Sequence, residues 1–236
     1  MKIKQKIKFI SKEIIGILVI FLSICFKFYK ICYPSVQKIG NGNIKIACIG
    51  DSITYGLGVE FRRRFSTYPA RLYKNLGKDY KVLNYGASSR TLLSSGNHPY
   101  SKTKFIKKCL KENPNIIIIM LGSNDSKLIN WNAKKYKQEY LKLIKKYQSI
   151  NKNFKIYIMT PPRAFAKIKN ESSIRNYIIK NEICPIIKSI SKETNVKLID
   201  LYNLTKDKPQ WFFDGIHPNK KGNIEIAKYI SNIIKY

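Results

Sequence analysis

Along most of this chain, short apolar runs alternate with longer segments in which apolar residues recur at helical spacing. Five short apolar runs are bounded by turn-forming or charged residues, which is the pattern of buried β-strands. The run from Ile116 to Leu121 contains four consecutive isoleucines, so we expect it to be buried on both faces as a central parallel strand. The five predicted strands are Lys45–Ile49, Val82–Asn84, Ile116–Leu121, Phe154–Met159 and Lys197–Leu201.

The longer segments between these runs repeat their apolar residues at helical spacing. The segment from Ser172 to Glu193 is the longest, and Pro185 within it predicts a kink or a break. Strands that alternate with helices, without internal repeats, predict an α/β fold: a three-layer α/β/α sandwich around a five-stranded parallel sheet. The other predicted helices run from Ser66 or Thr67 to Leu76 and over Lys102–Lys111, Ala133–Ser149 and Lys220–Ile234.

The first 33 residues follow a different pattern. Five lysines between Lys2 and Lys12 precede an uncharged apolar run, Ile14 to Phe26. A basic segment before an apolar one is typical of a secretory signal, but no small-residue cleavage site follows, which favours an uncleaved signal anchor over a cleaved signal peptide. The run has 13 residues, fewer than the roughly 20 of a membrane-spanning helix, and it could extend to Tyr33 if two lysines snorkel.

The chain is therefore expected to have three parts. Residues 1–33 form the signal anchor or signal peptide, residues 34–42 with their Pro and Gly form a linker, and residues 43–236 form one globular domain. Because lysines are in excess before the apolar run, we expect the N-terminus to be cytoplasmic and the domain to lie outside the cell membrane.

The first predicted strand ends in Gly50-Asp51-Ser52. The carboxyl edge of an open parallel sheet is where ligands bind, so a serine placed there is a candidate nucleophile. The alternative is that Ser52 only caps the following helix. A general base elsewhere in the chain would favour the catalytic interpretation.

His217 is the candidate for that base. It is one of two histidines in the chain, and Asp214 precedes it by three residues in a segment made turn-like by Gly215 and Pro218. In such a turn the carboxylate can hold one ring nitrogen while the other points outward, which is the arrangement of a general base with its orienting group. The other histidine, His98, is expected to lie at the surface or at the rim of the substrate site rather than to be catalytic.

Two further predicted strands also end in polar, glycine-containing turns. Residues 84–88 follow the second strand, and Gly122-Ser123-Asn124-Asp125 follows the third. A backbone N–H at Gly86 and the side-chain amide of Asn124 are the kinds of donor that an oxyanion hole needs.

These four blocks, in this order, resemble the SGNH (GDSL-type) hydrolases. The resemblance covers residues 43–236 and implies a flavodoxin-like fold, with Ser52 as nucleophile, His217 as base and Asp214 as its partner. It also implies that the oxyanion is bound by the N–H groups of Ser52 and Gly86 and by the Asn124 side chain. One position departs from the family: a glycine is common three residues after Gly86, and this chain has Ser89 there.

Several other kinds of site are disfavoured. The two histidines are far apart and no H-E-x-x-H occurs, so a metal site is not expected, and phosphate-binding or dinucleotide-binding loops are absent from the sequence. A G-x-S-x-G elbow is also absent, which disfavours the α/β-hydrolase fold. The five cysteines include no C-x-x-C, and Cys48, Cys109 and Cys184 fall on apolar elements, which predicts free buried thiols.

The formal net charge is +31, from 45 basic and 14 acidic residues. Such an excess favours anionic surfaces or polymers of the cell envelope, although a lysine-rich composition alone would also produce it. Nucleic acid is a disfavoured partner, because no recognised nucleic-acid module accompanies the charge.

The resemblance thus implies a serine-dependent ester hydrolase that needs no cofactor. Its substrates would be O-acetylated envelope polysaccharides or lysolipids. Two alternatives stay open: an O-acyltransferase that uses the same residues on a sugar hydroxyl, and a non-catalytic, membrane-tethered module that binds anionic polymer through its lysines.

Overall fold

The computed structural model describes residues 13–26, 29 and 34–234. Its contacts divide the chain into two units, Met1–Ser35 and Val36–Tyr236. In the first unit, residues 13–26 form helix α1. Within the described ranges no helix has both the length and the hydropathy of a membrane span. The basic segment and most of the proposed extension to Tyr33 lie outside the described residues.

The second unit is built on a six-stranded sheet with the order β1-β3-β2-β4-β5-β6. Strands β2 to β6 are mutually parallel, and β1 pairs antiparallel with β3 at one edge. The five predicted strands and their parallel arrangement are confirmed. The strands are β1 (Gln37–Ile39), β2 (Ile44–Gly50), β3 (Tyr80–Gly86), β4 (Ile116–Met120), β5 (Lys155–Met159) and β6 (Lys197–Ile199).

Helices cover both faces of this sheet. The α-helices are α2 (Ser52–Tyr55), α3 (Arg63–Ser66), α4 (Tyr68–Leu76), α5 (Phe105–Glu112), α6 (Ala133–Ile150), α7 (Asn176–Ile178), α8 (Cys184–Thr194), α9 (Leu201–Thr205) and α10 (Lys220–Ile234). Short 3₁₀ turns occupy Glu60–Arg62, Tyr100–Lys102 and Pro209–Trp211. Thr67 caps α4 through the Ala70 N–H, as its sequence predicts.

Strand β4 shows how the three layers are held together. Ile117 and Ile119 belong to one buried cluster with residues of α6 and α8, whereas Ile116 and Ile118 belong to another with residues of α4 and α10. Successive side chains of a strand point to opposite faces, so an unbroken isoleucine run serves both cores. Burial of each such side chain stabilises the fold by roughly 1.5–3 kcal/mol. The predicted α/β/α sandwich is confirmed.

The sixth strand corrects the sequence analysis. Gln37–Ile39 lies in the segment predicted as a linker, yet it pairs with β3 from Val82 to Asn84. Three residues flanked by Pro34 and Gly40 are too few to show a strand periodicity. Their pairing is decided by the exposed edge of β3 rather than by their own pattern.

The helix predicted over Ser172–Glu193 begins later and is distorted where expected. Its first half is the short α7, and the π-helical segment Ile179–Ile183 then leads into α8 with Pro185 in its first turn. Proline cannot donate a main-chain hydrogen bond, and the wider π turn accommodates it. The three domain cysteines, Cys48, Cys109 and Cys184, are free and buried, as predicted.

Candidate active site

Ser52 lies where β2 ends and the chain turns sharply into α2. Gly50 permits this turn, because a β-carbon there would lie 2.1 Å from Thr54 Oγ1. Asp51 caps the helix by accepting the Ile53 N–H at 2.9 Å, so the alternative of Ser52 as the cap is wrong. Strand β2 lies between β3 and β4, the point of strand-order reversal where open α/β sheets bind ligands.

The structure brings Ser52, His217 and Asp214 together. Ser52 Oγ lies 2.9 Å from His217 Nε2, and His217 Nδ1 lies 2.6 Å from Asp214 Oδ2. A carboxylate on Nδ1 fixes the ring proton there, which leaves Nε2 as an acceptor for the Ser52 hydroxyl. The arrangement can therefore move a proton from Ser52 to His217.

The turn that carries the pair Asp214 and His217 is held by main-chain bonds. The Phe213 N–H donates to the His217 carbonyl at 2.8 Å, and the Phe165 N–H donates to the Gly215 carbonyl at 2.7 Å. Gly215 has φ +82°. A β-carbon at Gly215 would lie 2.6 Å from the Ala166 N atom, so glycine is required for this close approach.

Asp214 is held in its ionised form. Its Oδ1 accepts the N–H groups of His217 at 2.8 Å and of Ile216 at 2.9 Å, while Oδ2 binds the imidazole. Partial burial alone would raise the pKa of Asp214, but these hydrogen bonds from His217 and Ile216 outweigh it and lower the pKa below its usual range. The carboxylate is therefore charged at neutral pH.

Asn124 lines the same pocket as Ser52 and His217. Its side-chain Nδ2 lies 3.3 Å from the Arg90 carbonyl oxygen and 3.5 Å from Asp51 Oδ2. Both contacts are long, so the amide can turn its N–H groups to a better acceptor at small cost. Its main-chain carbonyl accepts the Asn130 amide at 2.9 Å, which fixes the backbone.

Gly86 does not offer the free N–H group that the sequence analysis predicts for an oxyanion hole. Its N–H donates to Asn84 Oδ1 at 2.9 Å, and the residue does not line the pocket around Ser52. A β-carbon at Gly86 would lie 2.0 Å from the Tyr55 N atom, so this glycine serves the close packing of β3 against α2. Its N–H is therefore not available as an oxyanion donor.

Ser89 is the residue that the sequence analysis missed. It lines the pocket with Ser52 and Asn124, and its φ of 63° is a left-handed conformation that non-glycine residues seldom adopt. Among the described residues its N–H has no hydrogen-bond acceptor. The signal was present in the sequence, since the family commonly has glycine at this position, and the positive φ explains that preference.

Two buried carboxylates, Asp125 and Asp51, lie next to the site and accept main-chain N–H groups of the segments around it. Asp125 accepts the N–H groups of Leu92 at 3.0 Å and Leu93 at 2.8 Å, and so ties the loop that follows Ser89 to the end of β4. Burial raises the pKa of Asp125 to about 7, and the nearby charge of Asp51 adds to the shift. Burial also raises the pKa of Asp51, although the hydrogen bond from the Ile53 N–H lowers it.

The resulting pocket has a volume of about 550 Å³. Ser52 is 7% exposed at its floor, and the Asp214–His217 turn forms part of its rim. Across the described residues, no group of His, Cys, Asp and Glu side chains is arranged to hold a metal ion.

Comparison with known proteins supports this picture. The model of a family described as GDSL-like lipase/acylhydrolase matches residues 48–223, which include all four motif blocks. An acetylxylan esterase of Xylanibacter ruminicola is 36% identical over 81% of this chain, and a multidomain esterase of Ruminococcus flavefaciens is 25% identical over 83% of it. The chain covers only 43% and 29% of the lengths of these relatives.

Solved structures share the fold at lower identity. Est24, a carbohydrate acetylesterase from Sinorhizobium meliloti, has a TM-score of 0.69 at 19% identity, covering 81% of this chain and 98% of its own. The acetyl xylan esterase AlAXEase has a TM-score of 0.65 at 23% identity, covering 81% of this chain and all of its own. The resemblance seen in the sequence motifs is thus confirmed, and the chain belongs to the GDSL-like lipase/acylhydrolase family.

Proposed function

We propose that this chain is a serine-dependent carboxylic ester hydrolase that removes short acyl groups, above all acetyl, from carbohydrate. The observation that carries the proposal is the continuous chain of hydrogen bonds from Ser52 Oγ through His217 to Asp214 at the floor of an open pocket. This is the geometry that activates a serine hydroxyl as a nucleophile.

In the first half of the reaction, Ser52 Oγ would attack the ester carbonyl carbon while His217 Nε2 takes the hydroxyl proton. The tetrahedral intermediate then collapses, and the same nitrogen returns the proton to the departing alcohol oxygen. The acyl group remains on Ser52. Asp214, held ionised, stabilises the imidazolium that forms in between.

The oxyanion of that intermediate needs donors that are free in the resting site. We assign the Ser52 N–H, the Ser89 N–H and the Asn124 amide to this role, with Ser89 in place of Gly86. The two main-chain groups have no other acceptor among the described residues, and the Asn124 contacts are long enough to be exchanged. One such donor contributes roughly 10²–10³-fold in kcat.

In the second half, a water molecule would give a proton to His217 Nε2 and attack the acyl carbonyl. Collapse of this second intermediate releases the acid and restores the Ser52 hydroxyl. A sugar hydroxyl in place of that water would make the enzyme a transferase, so product analysis distinguishes the two activities.

Short acyl groups are favoured by the lining of the pocket. Most of its lining residues are polar or charged, chiefly Ser and Lys with Asn124, and only four are apolar. The apolar cavity of about 270 Å³ beside Leu92, Leu121 and Leu143 contains none of the three proposed catalytic residues. The relatives named as acetylxylan esterase and carbohydrate acetylesterase agree with this choice.

The test is hydrolysis of 4-nitrophenyl acetate, butyrate and octanoate by the purified 236-residue chain beside its Ser52→Ala variant. We expect turnover that falls with chain length and is reduced by roughly 10⁴–10⁶-fold in Ser52→Ala. Ser231→Ala is the matched control, because it removes a buried serine hydroxyl on α10, outside the pocket lining. Turnover that survives in Ser52→Ala would overturn the proposal.

A further inference from the structure

The pocket that holds Ser52 also carries three lysines in its lining: Lys127, Lys167 and Lys169. None of the three forms an ion pair with a carboxylate in the part of the chain that the structure describes. Asp214 is the only acidic residue among the described lining residues, and its oxygens are occupied by His217 and Ile216. Three cationic side chains that lack an ion-pair partner therefore line the pocket of the nucleophile.

Lys127 follows Asn124, one of the proposed oxyanion donors, by three residues. It is half-buried, and burial lowers the pKa of its ammonium, against the charges of Asp51 and Asp125. A partly desolvated cation without an ion-pair partner gains more from an incoming anion than a fully solvated surface lysine does. An anionic group in the pocket would supply the missing partner.

Lys167 and Lys169 belong to the loop of residues 163–175, which is fixed at both sides of the pocket. On one side the Phe165 N–H binds the Gly215 carbonyl at 2.7 Å, within the turn of Asp214 and His217. On the other side the Leu128 N–H binds the Glu171 carbonyl at 3.1 Å, next to Lys127. The loop thus joins the proposed base to the segment that carries the third lysine.

The loop is also stiffened internally. Ser173 Oγ accepts the N–H groups of Lys169 at 2.9 Å and Asn170 at 3.1 Å, and the Arg175 N–H donates to Ser126 Oγ at 3.0 Å. The main chain beneath the two outer lysines is therefore held in place, and only their flexible side chains have to be ordered by a ligand. Less conformational entropy is lost on binding than with a mobile loop.

We propose that these three lysines select an ester whose parent sugar carries a negative charge, so that the substrate is an O-acetylated acidic polysaccharide. The charge would be a carboxylate or a phosphate on the acetylated sugar or on its neighbour in the polymer. This inference rests on the proposed function, because it concerns the substrate of the same site. An anionic lipid surface is the less suitable partner, since the lining offers only Leu57, Ala166, Ile174 and Ile216 as apolar contacts.

The first experiment compares two small acetate esters that differ in one charge. The anionic probe is 4-acetoxy-3-nitrobenzoate and the neutral probe is its methyl ester, with each enzymatic rate divided by the rate of alkaline hydrolysis. We expect a corrected preference for the anionic probe of about 10-fold in kcat/KM at low salt. The preference should approach one near 1 M NaCl, where the screening length is about 3 Å.

The second experiment assigns the preference to the lysines. We expect the ratio of anionic to neutral kcat/KM to fall about threefold in Lys167→Gln/Lys169→Gln, and to approach one when Lys127→Gln is added. The control triple Lys134→Gln/Lys135→Gln/Lys145→Gln removes the same charge from exposed positions on α6 outside the pocket lining. It should leave the ratio unchanged. Equal effects of the two triples would show a general field and overturn the proposal.

The third experiment uses polymers and vesicles. Acetate release from acetylated polygalacturonate should exceed release from acetylated xylan of similar acetyl content, and salt should reduce the difference. Stimulation only by phosphatidylglycerol vesicles, without a preference for the acidic polymer, would overturn the proposal in favour of a membrane surface. The proposed function is tested separately, because loss of all Ser52-dependent hydrolysis of the neutral probe would reject it, whereas equal rates on both probes would reject only the charge selection.

Discussion

Two groups of polar side chains line the pocket, and they differ in how they are held. In the bonded group, Ser52, His217 and Asp214 are joined by hydrogen bonds of 2.6 to 2.9 Å, and both oxygens of Asp214 are occupied. In the lysine group, Lys127, Lys167 and Lys169 have no ion-pair partner among the described residues, although the main chain beneath them is fixed.

The difference follows from the role of each group: catalysis for the bonded group and attraction of charge for the lysine group. Proton transfer and nucleophilic attack depend on distances of about 3 Å and on direction, so a catalytic side chain must be positioned before substrate arrives. Attraction between charges acts over a screening length of about 10 Å at 0.1 M salt and needs no fixed direction. Substitutions in the bonded group should therefore reduce the rate far more than substitutions in the lysine group.

The largest effect is expected from Asp214→Asn. The amide would not hold the Nδ1 proton of His217, so the ring would present the wrong tautomer to Ser52, and kcat should fall roughly 10³–10⁴-fold. Initial rates with 4-nitrophenyl acetate measure this. Asp207→Asn, at an exposed position, is the control. A loss of less than tenfold would mean that Asp214 does not orient the base.

Asn124→Ala should have the next largest effect. It removes one proposed donor to the oxyanion but leaves the triad in place, so kcat should fall roughly 10²–10³-fold while KM changes little. Steady-state kinetics separate the two constants, with Asn203→Ala on α9 as the control. An increase in KM at unchanged kcat would assign Asn124 to ground-state binding instead.

Asp125→Asn tests, through the stability of the fold, the buried carboxylate that supports the site of the bonded group. The folded pKa of about 7 exceeds the usual value near 4 in the unfolded chain, so the folded state binds more protons between these values. The stability that Asp125 contributes through this difference in pKa is fully present below pH 4 and is lost as the pH rises through 7.

Denaturant unfolding of wild type and Asp125→Asn from pH 4 to pH 8 measures this. Relative to the variant, the wild type should lose stability at up to about 1.4 kcal/mol per pH unit. Asp79→Asn, at an exposed site, should run parallel to wild type. A constant difference between wild type and Asp125→Asn would show that Asp125 titrates normally.

The smallest effect is expected from Ser89→Gly. Glycine relieves the left-handed strain at φ 63°, so the free energy of unfolding should rise by about 0.5–1 kcal/mol while activity changes less than about twofold. Ser89→Ala should also retain activity, because the proposed donor is the main-chain N–H. If Ser89→Ala were inactive, the hydroxyl would be the functional group.

Most of the fold could be predicted because its signals are local. Five apolar runs became five parallel strands, and Pro185 marks a real distortion of its helix. The glycines and polar residues at strand ends also identified Ser52 and Asn124, and the turn-like segment with Asp214 identified His217. The fold brings Ser52, Asn124 and His217 into one pocket. The edge strand Gln37–Ile39 was missed because its pairing depends on β3.

What could not be predicted depends on contacts between distant segments. Gly86 has the residue type and position of an oxyanion donor, but the Asn84 side chain takes its N–H. The left-handed backbone of Ser89 is visible only in three dimensions. Likewise, Lys127 and Lys167 line one pocket because the loop after β5 is hydrogen-bonded both to the turn at Gly215 and to Leu128.

The central claim is that Ser52 carries the acyl group during turnover. Rapid acid quench of the chain with 4-nitrophenyl acetate, followed by peptide mass spectrometry, tests it directly. We predict an acetyl group on the Ser52 side chain in wild type, with the label absent from Ser52→Ala. Acetylation of a different residue in active wild type, or full turnover by Ser52→Ala, would contradict the account.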